Sequence, residues 1–496
     1  MTTRALNGNW RLLRQLFHLF IRPDFVLVCI LIGAAALRVH HLGSESLWLD
    51  EAFSVQLAHS PLPTILTETA KDVHPPLYYM ALRYWVRLAG SSEAGARMLS
   101  VVLSLAAIVA VYRLGSLLFG KPTGLLAAFF AAVSPFQIEF AQEARMYALL
   151  ALLSVLSLFF LVRLLSEGTR VGSWVFGSYV LSTALMLYTQ AYATFIIAAE
   201  IAVLVVMLFG STPDSRRQMK RAAFGLALAV ILFLPWLPTQ MSQVFQVQRG
   251  FWIPEGTRMS LPDTVALYAG SVPLAWVLFV CAVVGVIAGL FARRRSATPR
   301  RLAVSIAVCW CLCPIVLPFL ISQVSSPIFM SKYTIAGSLA FGVLAAHGIV
   351  ACFGRWGAVG AAVMAGVLTW TPLHDYYGTM RKVKWRETIS ALDRAAEPRD
   401  VVLLNQSFSD IPFRYYSHRA DLVVVPFLKD VPVEDLTLPT IDALLSLAAT
   451  GHSRVWVVLS NPDRLAPLMV RHFEHGYSIS RHTVEWGLEV YLFEKP

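Results

Sequence analysis

Charged residues are scarce in this 496-residue chain: 14% are Asp, Glu, Lys or Arg, against 57% hydrophobic. With a mean hydropathy of +0.62, that balance excludes an ordinary soluble globular protein. Acidic residues are fewer than basic ones, 30 against 41, leaving a net charge of +11. The basic residues sit in short connections between apolar runs, which fits positive-inside bias and not a nucleic-acid surface. Cysteine is nearly absent. All six, Cys29, Cys281, Cys309, Cys311, Cys313 and Cys352, lie in or beside apolar segments, so no disulfide framework is implied. Cys309, Cys311 and Cys313 have no histidine near them and do not make a zinc signature. HExxH is missing, as are short-period repeats and low-complexity tracts. No small-residue cleavage pattern follows the first apolar run before Asp50, so that run reads as an uncleaved signal anchor.

Long apolar runs are abundant, each near the roughly 20 residues that a bilayer core demands. About eleven spans can be drawn: the first from Phe25 to Leu42, then 95–118, 123–138, 147–165, 173–189, 192–210, 223–239, 264–291, 303–321, 333–351 and 357–374. Arg4, Arg11, Arg14 and Arg22 hold the N-terminus inside, so the next loop is exported. Lys121, then Arg163 with Arg170, then Arg216, Arg217, Lys220 and Arg221, then Arg293, Arg294, Arg295, Arg300 and Arg301, then Arg355, all fall on cytoplasmic turns of that drawing. An odd count leaves the C-terminal region outside. The expected location is a cell inner (plasma) membrane, crossed many times, with the polar residues of interest on the extracytoplasmic side.

Two regions follow. Residues 1–380 read as a transmembrane domain whose first external loop, 43–94, carries one or two interfacial helices. Residues 381–496 read as a small α/β domain, with strands at 401–404, 422–425, 455–459, 477–483 and 488–494 and helices near 385–396, 410–417, 439–449 and 463–475. In the segment Leu234-Pro235-Trp236-Leu237-Pro238 the prolines end or kink a helix. The fold class expected is thus a polytopic α-helical membrane protein with a small extracytoplasmic α/β domain.

Ionisable residues at a membrane face carry a solvation cost and are functional candidates. Asp50 and Glu51 stand together in the first exported loop; they either complement a helix N-terminus or work as an acid or base on a substrate. The next exported turn holds Glu143, Arg145 and Tyr147, mixing both signs of charge, and an arginine fork suits phosphate. His74, before Pro75-Pro76, either starts a helix or binds a phosphate oxygen or a metal. Lys332 and Tyr333, where a late helix enters, and Lys384 and Arg386, after the last span, either snorkel at the interface or neutralise a lipid phosphate. Gln190, Tyr192 and Trp252, with Tyr188, either line a sugar cavity or form an interfacial aromatic belt. Glu51, His74 and Glu143 are the candidate ligands for a divalent cation (Mg, Mn or Zn).

The combination of Asp50-Glu51, His74-Pro75-Pro76-Leu77, the Glu143-Ala144-Arg145-Met146-Tyr147 turn, Leu234-Pro235-Trp236 and Lys332-Tyr333 resembles the GT-C superfamily of polyprenyl-phosphate-sugar-dependent glycosyltransferases. The likeness is to the branch containing protein O-mannosyltransferases and the aminoarabinose transferases of lipid A, and it covers the chain to about residue 390. That resemblance implies an inverting transfer of a sugar from a polyprenyl monophosphate to an extracytoplasmic lipid, glycan or protein. Asp50 is then the base, and the basic residues of the late helix bind the donor phosphate. Two positions depart from the usual pattern: Lys332 stands where an Arg-Tyr pair is commoner, and Gln190 replaces the histidine of a Tyr-Thr-His stretch. The competing expectation is a lipid-linked-sugar flippase or transporter. Such a protein calls for repeated halves with helices broken near the bilayer centre, and no second copy is evident in the sequence.

Overall fold

The structure, a computed structural model, describes residues 22–167, 172–209, 212–249, 260–291, 298–325, 327–427, 437–460 and 465–496. It separates into two compact units. One comprises Met1–His40, Pro61–Ala81 and Arg97–Gly378, the other His41–Ser60, Leu82–Ala96 and Thr379–Pro496.

The first unit is helical. Among the described residues, five helices are long and apolar enough to cross a bilayer: Glu93–Phe119, Tyr147–Ser166, Val272–Phe291, Arg300–Val324 and the stretch Ser331–Gly378. The number is seven if each of two bent pairs is one span. Ser173–Leu187 and Ala193–Leu208 are apolar but shorter. The eleven expected spans therefore differ from what length and composition support, and one boundary shifts. The runs at 333–351 and 357–374 are two helical segments within Ile335–Leu368, parted at Gly354, whose φ of 62° suits glycine. The run at 264–291 is two helices, Leu261–Ala269 and Val272–Phe291, parted at Gly270, which also has positive φ.

Proline sets the bends. Lys121–Val133 and Pro135–Ala141 meet at 63°, and Pro213–Phe233 and Leu237–Val247 at 77°, the second at the expected Leu234-Pro235-Trp236-Leu237-Pro238 segment. Ser134 caps the new helix at the first bend by accepting from the Gln137 amide. Glycines bring helices close: a methyl group at Gly348 would run into the Cys281 carbonyl, and one at Gly285 into the Leu344 carbonyl, the small-residue contact that lets membrane helices approach.

The second unit is built on a five-stranded sheet in the order β2-β1-β3-β5-β4, with β1 Val401–Leu404, β2 Val423–Pro426, β3 Arg454–Ser460, β4 Ser478–Glu485 and β5 Leu488–Glu494. β1 pairs in parallel with β2 and β3, while β5 is antiparallel to β3 and β4. Successive residues of β1 point to opposite faces, and both faces are covered. Val401 and Leu403 pack with Phe473 and Phe493; Val402 and Leu404 pack with Trp385, Ile389 and Phe413. Burial on both sides explains why these strands read as unbroken apolar runs.

The loop at 43–94, expected to belong whole to the membrane region, is divided. Its 41–60 and 82–96 segments pack with the C-terminal residues. Arg386 donates to the Gly43 and Ser44 carbonyls at 3.1 and 2.7 Å and to the Glu93 carboxylate at 2.9 Å. The Tyr416 hydroxyl accepts from the Leu47 amide at 2.6 Å.

Candidate functional site

In the membrane unit, the site grows from the turn between Leu62–Lys71 and Leu77–Ala89. Pro75 and Pro76 fix that turn, and the Leu77 amide ties it to the Tyr188 carbonyl at 3.1 Å. His74 is thereby held inside the protein, 7% exposed, with its Nδ1 lacking a hydrogen-bond partner among the described residues. Its ring lies 6.4 Å from that of Tyr333. Tyr333 in turn lies 5.0 Å from Tyr192 and 6.3 Å from Tyr147, and the Tyr192 hydroxyl donates to the Ile328 carbonyl at 2.5 Å.

Two cations share this neighbourhood. Arg145 is buried and donates through Nη1 to the Tyr79 hydroxyl at 3.2 Å; its carbonyl accepts from Ser100 at 3.3 Å. Lys332 is half-buried and opens the short helical turn Ser331–Thr334. Burial, then Arg145, then Lys332 hold the His74 imidazole well below its ordinary pKa of 6.5, because each of them opposes a further positive charge. His74 is consequently neutral at physiological pH. Glu143 sits half-buried in the same turn as Arg145, and Gln190 is buried beside Tyr192. Of the predicted residues, the structure thus brings together His74, Arg145, Tyr147, Tyr192, Lys332 and Tyr333.

Asp50 and Glu51 belong to the other unit, in the first turn of the helix Leu49–His59. Asp50 is half-buried, and its carbonyl accepts from the Ser54 hydroxyl at 2.7 Å. Glu51 is fully buried and bonded to Lys382 at 3.0 Å. Lys382 went unnoticed in the sequence, although it stands in the basic run Arg381-Lys382-Lys384 just after the last span.

Lys384 and Arg386 are employed otherwise than expected. Lys384 pairs with Glu485 at 2.8 Å, and that hydrogen bond raises its pKa. Arg386 spends its guanidinium on Gly43, Ser44, Glu93 and Glu387. With its fork taken up by protein acceptors, Arg386 clamps the fold and has no donor left for a phosphate; Lys384 is paired within the same unit. Trp252 lies outside the described residues. Among the described residues, no group of three or more His, Cys, Asp or Glu side chains is placed to hold a metal ion.

Residues 73–238 match the family described as dolichyl-phosphate-mannose-protein mannosyltransferase. No protein of curated function matches the sequence. Among solved structures, the chain is similar to ArnT from Cupriavidus metallidurans bound to undecaprenyl phosphate, at 14% identity and a TM-score of 0.62, over 94% of this chain and 97% of that one. It is also similar to the archaeal oligosaccharyltransferase AglB from Archaeoglobus fulgidus in complex with an inhibitory peptide and a dolichol-phosphate (11% identity, TM-score 0.58, 95% and 74% covered). A third likeness is to the arabinofuranosyltransferase AftD from mycobacteria (15%, 0.53, 95% and 40%). The membrane architecture expected from the motifs is the one these structures share.

Proposed function

We propose that this chain, which has the GT-C fold, is an integral membrane inverting glycosyltransferase that moves a sugar from a polyprenyl monophosphate to an extracytoplasmic acceptor. The observation that carries the reading is the pair of cations, Arg145 and Lys332, flanking a buried, neutral His74 beneath three tyrosines. An arginine fork and a lysine ammonium both suit a phosphate, and its polyprenyl chain, unable to leave the bilayer, brings that phosphate to the membrane face.

Asp50 accepts the proton of the attacking hydroxyl or amine. The acceptor atom then bonds to the anomeric carbon from the face opposite the phosphate, and the bond from that carbon to the phosphate oxygen breaks. The electron pair leaves on the phosphate, giving free polyprenyl phosphate and inverted configuration. Arg145 and Lys332 stabilise the negative charge as it grows, worth more in a dry site than in water. His74, neutral and with an unbonded Nδ1, is suited to a phosphate oxygen without adding a third repelling cation. No step is assigned to a divalent cation.

The undecaprenyl phosphate and the dolichol-phosphate bound in the similar structures support a polyprenyl-phosphate-linked sugar as the donor class proposed here. The test is transfer by the purified full-length protein, using polyprenyl-phosphate sugars and envelope extracts as acceptor. Asp50→Asn should lower turnover by about 10²–10⁴-fold, the range of general-base catalysis, with an unchanged melting temperature. Retained turnover removes Asp50 from the mechanism, and uptake of lipid-linked sugar without any glycosylated product replaces transfer by transport.

A further inference from the structure

The helix Leu237–Arg249 is inside out. Its apolar Met241, Val244 and Phe245 are 44%, 39% and 59% exposed, whereas Gln240 and Gln243 are 4% and 2% exposed. Three positions apart, the two glutamines share one helix face, and Trp236, four positions before Gln240, is buried too. An apolar outer face suits lipid. The inner face has polar ends without a use among the described residues: there, the amide oxygens of Gln240 and Gln243 and the indole N–H of Trp236 are buried without a hydrogen-bond partner. The amide oxygen of Gln190 is in the same condition.

Contacts link the segments that carry these groups to the segments that carry the candidate site. Gln243 donates from Nε2 to the Thr69 carbonyl at 2.8 Å, at the end of the helix that leads to His74. Turning that amide over would break the bond, so its oxygen is the atom left over. The Tyr188 ring packs on Phe233 at 5.0 Å and its hydroxyl donates to the Leu232 carbonyl at 3.0 Å, joining the Gln190 turn to the bend before Trp236.

Buried polar atoms are almost always satisfied, and a row of exceptions calls for an account. Carbonyl oxygens cannot receive a phosphate oxygen, which is itself an acceptor, and a prenyl chain offers them nothing. A ligand bearing several uncharged O–H donors, spaced over one ring, satisfies them together. We propose that Gln190, Gln240 and Gln243 form the wall that recognises the hydroxyls of the donor's sugar, with the Trp236 N–H giving to a sugar oxygen. The inference rests on the transferase reading above and adds the residues that choose the sugar.

Methionine matches glutamine in length and shape but has only a weak acceptor sulfur, so Gln240→Met with Gln243→Met tests the wall without opening a cavity. Full-length protein in lipid nanodiscs is titrated with undecaprenyl phosphate and with undecaprenyl-phosphate mannose, glucose, galactose and arabinose. The wild type should prefer at least one sugar-bearing lipid over the bare phosphate. The double variant should bind undecaprenyl phosphate within about twofold of wild type and lose about tenfold or more of that preference, the scale of one or two hydrogen bonds. The single Gln240→Met variant should lose part of it, and its melting temperature should not fall. Wild-type preference kept in the double variant overturns the wall and leaves the transferase reading standing. A wild type without affinity for undecaprenyl phosphate overturns both, and one that binds it but prefers no sugar overturns the wall alone.

Discussion

Lys382 Nζ stands 3.0 Å from a carboxylate oxygen of Glu51, and the Glu51 side chain is entirely buried while that of Lys382 is 14% exposed. A buried pair adds little net stability over a well-packed apolar pair, but removal of one partner strands the other. Glu51 follows Asp50 in the first turn of the same helix, so the bond also fixes the backbone that carries the proposed base.

Lys382→Met should therefore cost about 3–5 kcal/mol, seen as a lower melting temperature, and should lower transfer along with it. Adding Glu51→Leu to Lys382→Met should restore most of the stability, because the stranded charge is gone. A double variant as unstable as the single would show that the lysine acts through packing instead.

The Arg386 fork leads to a second expectation. It holds the Gly43 and Ser44 carbonyls and Glu93 together, and a lysine cannot reproduce that geometry. Arg386→Lys should destabilise the sheet-containing unit by about 1–3 kcal/mol, the range for bonds made by a charged group, and speed limited proteolysis within 379–496. Affinity for undecaprenyl phosphate should not change. A selective loss of lipid affinity in a stable variant would return Arg386 to the phosphate site.

Much of the second unit was readable in the sequence because its signals are local. The strand expected at 455–459 is Arg454–Ser460 and the helix expected at 385–396 is Trp385–Ala395, since apolar runs of that length with turn residues on either side have few other solutions. The proline bend at 234–238 was readable for the same reason. What sequence could not reveal depends on distant partners. Arg386 and Glu93 are 293 positions apart, and no periodicity announces that the 82–96 segment joins the C-terminal residues. The glutamines were equally hidden. Gln240 and Gln243 have the spacing of a helix face, but a polar face usually means solvent, and only packing reveals that here it turns inward.

Close helix approach gives a third expectation. A methyl group at Gly348 would meet the Cys281 carbonyl, and at Gly285 the Leu344 carbonyl, backbone atoms that cannot move aside cheaply. Gly348→Ala or Gly285→Ala should push the helices Val272–Phe291 and Ile335–Leu368 apart at a cost of about 1–3 kcal/mol. Gly360→Ala, at a position with open space around it, should be neutral or slightly stabilising, since alanine is the better helix former. Equal melting temperatures for Gly348→Ala and Gly360→Ala would mean the first contact is looser than it stands.

His74 ties the cationic site to pH. Its imidazole is held well below 6.5 by burial, Arg145 and Lys332, so in the folded protein it resists a proton that it accepts readily when unfolded. Between the lowered folded pKa and 6.5 the unfolded state binds more protons, and stability must fall as pH falls through that window. Above 6.5 neither state is protonated and the term vanishes. Each pH unit inside the window costs up to about 1.4 kcal/mol. His74→Gln keeps a neutral hydrogen-bonding side chain that cannot titrate. Melting temperatures of wild type and variant should run in parallel from about pH 8 down to 6.5, the titration point of free histidine, and diverge below it, with the wild type falling faster. Parallel curves at acid pH would mean that His74 takes up its proton in the fold, and the two cations would then not share its pocket.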